Sequence, residues 1–131
     1  MSTKSVIKIL ILDDEPIVCE RLKPIIEKDG YIVETFITSQ EAMDCLTRQH
    51  FHILITDLKM SGAKGIEVIR FAREHSPRIK TIVISGFATN EMADEAFKAG
   101  AVEFIAKPFK LSQIRKLVEQ LAAEIRLENN L

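Results

Sequence analysis

The chain has 131 residues, 47% of them hydrophobic and 28% charged, which is the balance of a single soluble globular domain. Its formal net charge of −1 comes without a cluster of basic residues, so the sequence does not favour nucleic-acid binding. No apolar run approaches the length of a membrane span, and the first residues, MSTKSVIK, lack the long apolar region of a signal peptide. We therefore expect a cytoplasmic protein that does not enter a membrane.

Short apolar runs and helical stripes alternate through the first half of the chain. The first strand is predicted over Val6–Leu12, and the stripe that follows has the spacing of an amphipathic helix, which Gly30 ends as a C-cap glycine. A second strand is predicted over Tyr31–Phe36 and is interrupted by polar residues. A capping-box pattern then begins a helix near Ser39–Arg48, and Phe51–Thr56 is the third predicted strand.

The same alternation continues through the second half. A helix near Ile66–His75 precedes a fourth strand over Thr81–Ile84, and a fifth strand is predicted over Val102–Ala106. Two further helices are indicated by apolar and small residues at helical spacing. These residues are Ala93, Ala96, Phe97 and Gly100 in the fourth helix and Ile114, Leu117, Val118, Leu121 and Ile125 in the last.

Five strand-helix units in strict alternation predict a parallel sheet with helices on both faces, because each crossover between parallel strands is right-handed. The first, third and fourth strands are nearly continuous apolar runs, as central strands of a parallel sheet must be. The second strand is more polar and suits an edge. We therefore predict a doubly wound α/β fold of the flavodoxin-like (βα)5 type, with strand order 2-1-3-4-5 and a switch point between the first and third strands.

Residues with reactive or charged side chains stand where four of these strands end. Asp13 and Asp14 follow the first strand, Asp57 the third, Ser85 the fourth and Lys107 the fifth. In an open parallel sheet, ligands bind outside the carboxyl ends of the strands, at the switch point. The fold should therefore bring three carboxylates, one hydroxyl and one ammonium group together.

Such a cluster indicates a divalent cation, because three carboxylates within a few ångströms repel one another. Oxygen ligands favour Mg²⁺, which also binds the oxygens of substrate phosphates. A carboxylate beside Mg²⁺, Lys107 and Ser85 is suited to attack a phosphoryl group and become an aspartyl phosphate. The cation and the lysine would stabilise the equatorial oxygens during an in-line transfer. Glu15, the third acid of its run, is interpreted instead as a charge at a helix start, which the helix dipole favours.

Four segments at these strand ends resemble the receiver domain of two-component response regulators. They are ILILDDEP at the first strand, ILITDLKMSGAKG at the third, IVISG at the fourth and FIAKPF at the fifth. Each motif alone is weakly diagnostic, but all four occur in order at the ends of the right strands. The resemblance covers essentially the whole chain. It implies one receiver domain over residues 1–131, with a folded core of about 5–127 and no output domain.

The resemblance implies a role for each matching residue around a phosphorylation site. Asp57 would be the phosphoacceptor. Asp14 would bind Mg²⁺ directly and Asp13 mostly through water, while Asp57 and the backbone carbonyl of Lys59 would be further ligands. Lys107 would contact the phosphoryl group.

Three further residues match positions that the family uses for switching and for local geometry. Ser85 would move toward a phosphoryl oxygen after phosphorylation. Phe104, three residues before the lysine, would occupy the aromatic switch position. Pro108 resembles the family's cis-proline, and cis bonds are largely restricted to proline.

The resemblance implies a signalling module that catalyses only its own phosphorylation and dephosphorylation. It would take a phosphoryl group from a histidine kinase or a phosphotransfer protein. It would then alter the surface formed by its fourth helix, fifth strand and fifth helix. That surface would control an output domain or a downstream protein, and homodimers could form through it. No direct contact with nucleic acid or with a membrane is expected of this domain.

Three other functions are weighed against this one. A Mg²⁺-dependent phosphohydrolase would use Asp57 catalytically, but such enzymes usually have a lid domain and a second acid two residues later, where Lys59 stands. A flavodoxin-like FMN-binding domain needs a hydroxyl- and glycine-rich loop after the first strand, where DDEP would repel a phosphate. A degenerate receiver that is never phosphorylated is disfavoured by the complete set of acids.

Overall fold

Helices and strands alternate in the computed structural model, which describes residues 6–58, 65–86 and 89–129. None of the helices in these ranges is both long enough and apolar enough to cross a membrane. The described residues form five strands and five helices. In chain order these are β1 (Lys8–Leu12), α1 (Pro16–Lys28), β2 (Ile32–Phe36), α2 (Ser39–Arg48), β3 (Ile53–Asp57), α3 (Gly65–His75), β4 (Lys80–Ser85), α4 (Asn90–Ala99), β5 (Ala101–Ala106) and α5 (Leu111–Asn129).

The strands form one parallel sheet in the order β2-β1-β3-β4-β5. β1 lies between β2 and β3, and Ile9 pairs with Val33 on one side and with Ile53 on the other. The chain therefore reverses its direction of winding at β1, which places the switch point between β1 and β3. The predicted doubly wound α/β fold and its strand order are confirmed.

Alternate residues of the central strands supply two cores, one on each face of the sheet. Ile9 and Ile11 of β1 pack with α1 and α5, whereas Leu10 and Leu12 pack with α2 and α3. All four side chains are fully buried. Because successive side chains of a strand point to opposite faces, a strand covered on both sides needs an uninterrupted apolar run. The packing on both faces holds the strand ends in fixed positions.

Local sequence signals set the helix ends near the site. Thr38 Oγ1 accepts a hydrogen bond from the Glu41 N–H at 3.3 Å and donates one to Glu41 Oε1 at 2.9 Å, so Thr38 is the N-cap of α2, as the capping-box pattern predicts. α1 starts at Pro16, where a missing N–H costs no helical hydrogen bond. Gly30 stands just past the end of α1 with a φ of +100°, the conformation that a C-cap glycine supplies.

The bounds of all five predicted strands differ from the structure by one or two residues, and one helix face differs as well. β1 begins at Lys8 rather than at Val6, whose side chain is exposed. The helical spacing places Phe97 with Ala96 on the packed face of α4, yet Phe97 is 45% exposed. The buried residues of this helix are Ala96 and Ala99. Their small side chains allow α4 to lie close to the sheet.

Candidate functional site

The backbone brings the predicted site residues together at the carboxyl end of the sheet. Asp57 is the last residue of β3 and Ser85 the last of β4. Asp13 follows β1, and its N–H donates a hydrogen bond to Phe36 O at 3.1 Å. Lys107 follows β5, and its N–H donates to Ser85 O at 2.8 Å. Residues far apart in sequence therefore share one edge because the parallel strands end there.

Three carboxylates form a compact group at the switch point. Asp13, Asp14 and Asp57 each offer an oxygen atom, and these atoms lie within 4.8 Å of one another. Asp13 is fully buried and Asp57 is only 4% exposed, whereas Asp14 is exposed. The predicted convergence of the acids is confirmed, and the group is able to hold a metal ion.

The ammonium of Lys107 lies among carboxylates. Its Nζ atom is 2.9 Å from Asp13 Oδ2, 3.0 Å from Asp57 Oδ2 and 2.8 Å from Glu15 Oε1. Burial by itself lowers the pKa of Lys107, but the three neighbouring carboxylates outweigh burial and raise that pKa overall. The lysine is therefore fully charged at neutral pH and offsets part of the negative charge of the site.

Asp13 is the most constrained of the acids. Its Oδ1 atom accepts a hydrogen bond from the Glu15 N–H at 2.9 Å. Its Oδ2 atom is buried and lacks a hydrogen bond of good geometry, although the Lys107 ammonium is close enough for an ion pair. Burial raises the pKa of Asp13, and the Glu15 amide and the Lys107 ammonium lower it only in part. A buried carboxylate oxygen in this state fits a site for a further cation.

Glu15 has a contact that the sequence interpretation missed. It is the N-cap residue of α1, but its side chain makes no capping hydrogen bond to that helix. Its carboxylate instead binds Lys107, 92 residues further along the chain. The only sequence signal for this contact is the third acid of the run DDE, since nothing local indicates where such a side chain points.

The remaining predicted residues lie around this cluster. Ser85 is fully buried at the end of β4. Phe104 is half-buried in β5 and packs against a cluster that includes Val83. The peptide bond between Lys107 and Pro108 is cis. Lys59, the predicted carbonyl ligand, lies outside the described residues.

Comparison with known proteins identifies the family to which this fold and site belong. The family model for the response regulator receiver domain matches residues 9–119. The chain belongs to the response regulator receiver domain family. This receiver domain is 34% identical over 125 residues to the uncharacterized transcriptional regulatory protein YesN of Bacillus subtilis, covering 93% of the chain. It spans 34% of that protein's length, and 27% and 26% of two similar Pseudomonas aeruginosa regulators.

Solved structures agree with this assignment. A CheY-like receiver domain protein of Methanospirillum hungatei superimposes with a TM-score of 0.90 at 28% identity, covering 95% of the receiver domain and 99% of that chain. A Burkholderia pseudomallei response regulator superimposes with a TM-score of 0.81 at 25% identity, covering 94% of the receiver domain and 72% of that chain. The Burkholderia structure contains a phosphorylated aspartic acid, a calcium ion and citrate.

Proposed function

We propose that this receiver domain accepts a phosphoryl group on Asp57 in a Mg²⁺-dependent reaction, with a histidine kinase or a phosphotransfer protein as the donor. The observation that carries the proposal is the Lys107 ammonium, 3.0 Å from Asp57 Oδ2 and beside a group of three carboxylates. This arrangement supplies a nucleophile, a positive charge for the incoming group and ligands for a divalent cation. The phosphorylated aspartic acid and calcium ion of the Burkholderia relative support the same chemistry.

The donor set fits a hard divalent cation. It consists of oxygen atoms alone, and the buried Asp13 Oδ2 has no hydrogen bond to satisfy it. We assign direct binding to Asp14 and binding mostly through water to Asp13. Asp57 and the backbone carbonyl of Lys59 complete the proposed ligands. When bound, Mg²⁺ would supply positive charge that offsets the charge on the phosphoryl oxygens.

In this mechanism Asp57 is the nucleophile. A carboxylate oxygen attacks the phosphorus, and the new O–P bond forms as the bond from phosphorus to the donor's imidazole nitrogen breaks. The electron pair of the broken bond stays on the imidazole, which takes a proton from solvent. Lys107 donates hydrogen bonds to the transferred oxygens. Because Asp57 is only 4% exposed, its position limits the access of bulk water to the acyl phosphate.

Phosphorylation would then alter the surface formed by α4, β5 and α5. Ser85 would donate a hydrogen bond to a phosphoryl oxygen, and the half-buried Phe104 would repack next to it. Phosphorylation would shift the equilibrium between two conformations of this surface. A partner responds to that shift only if it binds one conformation better than the other. We propose that the partner of this surface is an output domain, a downstream protein or a second copy of the receiver. The chain itself would catalyse only its own phosphorylation and dephosphorylation.

The proposal is tested by measuring the intact mass of the protein after incubation with acetyl phosphate. We expect a gain of one phosphoryl group that requires Mg²⁺ and is absent in Asp57→Asn. Asp94→Asn, which removes an exposed carboxylate from α4, is the matched control and should still gain the group. A mass gain that persists in Asp57→Asn would show that another residue is the acceptor. No mass gain with any phosphodonor would refute the proposal.

A further inference from the structure

The Lys107 ammonium lies among three carboxylates: it donates hydrogen bonds to Asp57 Oδ2 and Glu15 Oε1 and forms an ion pair with Asp13 Oδ2. An ammonium group has three N–H bonds and no acceptor. Three carboxylate oxygens lie between 2.8 and 3.0 Å from Nζ, one from each of Asp13, Asp57 and Glu15. A phosphoryl oxygen that binds this ammonium therefore competes with these carboxylate oxygens for it.

The three carboxylates differ in how easily they can leave. Asp57 is the proposed acceptor and remains in place. Asp13 is fully buried, and its second oxygen is held by the Glu15 N–H at 2.9 Å. The Glu15 side chain is 58% exposed, and among the described residues its carboxylate hydrogen-bonds to Lys107 alone. Glu15 can thus rotate into solvent at the smallest cost.

We infer that Glu15 is a positioning residue that holds Lys107 in the unphosphorylated state and competes with the incoming phosphoryl group for its ammonium. The inference rests on the proposed phosphorylation of Asp57. Glu15 is not a member of the group of three acids that converge on the metal position. Phosphorylation then exchanges one anion for another on the same ammonium. That exchange frees a side chain at the start of α1.

Two substitutions separate this contact from the charge of Glu15. Glu15→Gln keeps the length of the side chain and removes its charge. Glu15→Asp keeps the charge but is one methylene too short to retain the 2.8 Å contact. If the contact sets the competition, both variants release Lys107 and bind a phosphoryl analogue more tightly. If only long-range repulsion matters, Glu15→Asp behaves like the native protein.

The probe is beryllofluoride with Mg²⁺, titrated into the full chain by isothermal calorimetry. We expect both variants to bind it roughly two- to fivefold more tightly, the range for loss of one partly exposed ion pair. Glu20→Gln removes the same charge from an exposed position on α1 and should leave the affinity unchanged. In the native protein the ¹³C signal of the Glu15 carboxylate should move toward that of a free glutamate when the analogue binds. A purely structural role at the helix start would not produce that signal.

The outcomes distinguish the inference from the function on which it rests. Native protein that fails to bind beryllofluoride with Mg²⁺ would overturn the proposed phosphorylation and the role of Glu15 with it. If the native protein binds beryllofluoride and Glu15→Gln binds it equally or more weakly, the role of Glu15 is overturned but the proposed phosphorylation is not. Native affinity in Glu15→Asp would also overturn it, by assigning the effect to charge at a distance. Thermal unfolding of each variant verifies that it is folded.

Discussion

Asp13 combines complete burial with an ionisable carboxylate, and this combination costs stability. Burial raises its pKa above the ordinary 3.8, so the folded state disfavours the charged form. Since folding raises the pKa, the carboxylate costs stability at neutral pH, and the cost declines as the pH falls through the folded-state pKa. A residue retained at such a cost is expected to serve the chemistry of the site rather than the stability of the fold.

Replacing this carboxylate by its neutral isostere should therefore stabilise the protein while damaging the site. We expect Asp13→Asn to raise the free energy of unfolding by about 0.5–2 kcal/mol, the range of a typical stabilising substitution. The amide oxygen can still accept the Glu15 N–H. Urea denaturation in the presence of a chelator measures the stability, and Mg²⁺ titration by NMR should show weakened binding. If Asp13→Asn is less stable than the native protein, the predicted increase in the free energy of unfolding is wrong.

At the scale of elements, the start of α3 is packed directly against the end of β3. The Gly65 N–H donates a hydrogen bond to Leu58 O at 3.1 Å. A Cβ atom at Gly65 would lie 2.5 Å from both Asp57 O and Leu58 Cα. These are backbone atoms and cannot rotate away, so only a glycine allows the helix to begin this close to the proposed acceptor.

Gly65→Ala should therefore both destabilise the protein and slow its phosphorylation. We expect the free energy of unfolding to fall by about 1–3 kcal/mol, as for other overpacked positions. Phosphorylation by acetyl phosphate should slow at the same time, because the clash displaces the backbone of Asp57. Gly86→Ala is the control, since nothing lies within 4 Å of a Cβ at that position and it also follows a site residue. Equal urea midpoints for the two variants would argue against the close approach.

The elements also show which features the sequence could predict. The apolar runs predict the strands and their order, since a strand buried on both faces tolerates no polar alternation. The same order brings Asp13, Asp57 and Lys107 to one edge, so most of the site follows from topology. The contact of Glu15 with Lys107 joins residues 92 apart, and no local pattern indicates it. The sequence also does not predict that Phe97 is exposed, because helical spacing alone does not indicate which residues of the helix pack on the sheet.

At the scale of the whole molecule, ionisable groups are built into both ends of the sheet. Opposite the acidic site, at the amino ends of the strands, the Lys8 N–H donates a hydrogen bond to His52 Nδ1 at 3.0 Å. This contact joins the start of β1 to the residue before β3. Burial lowers the pKa of His52 from its ordinary 6.5, and the charges of Lys8 and His50 lower it further. His52 therefore accepts that hydrogen bond in its neutral form.

The sign of the resulting pH dependence follows from the lowered pKa. Stability from neutral His52 is fully present above the ordinary pKa of 6.5 and is lost as the pH falls through the folded-state pKa. Protonation also turns Nδ1 into a donor, so the Lys8 N–H loses its acceptor at a cost of about 0.5–1.5 kcal/mol. His52→Asn places an amide oxygen near the position of Nδ1 and does not titrate. We expect urea denaturation to show that the native protein loses about 0.5–1.5 kcal/mol more stability than His52→Asn between about pH 7.5 and about pH 5. Because the two proteins differ only at this residue, identical losses would show that His52 does not control the acid response.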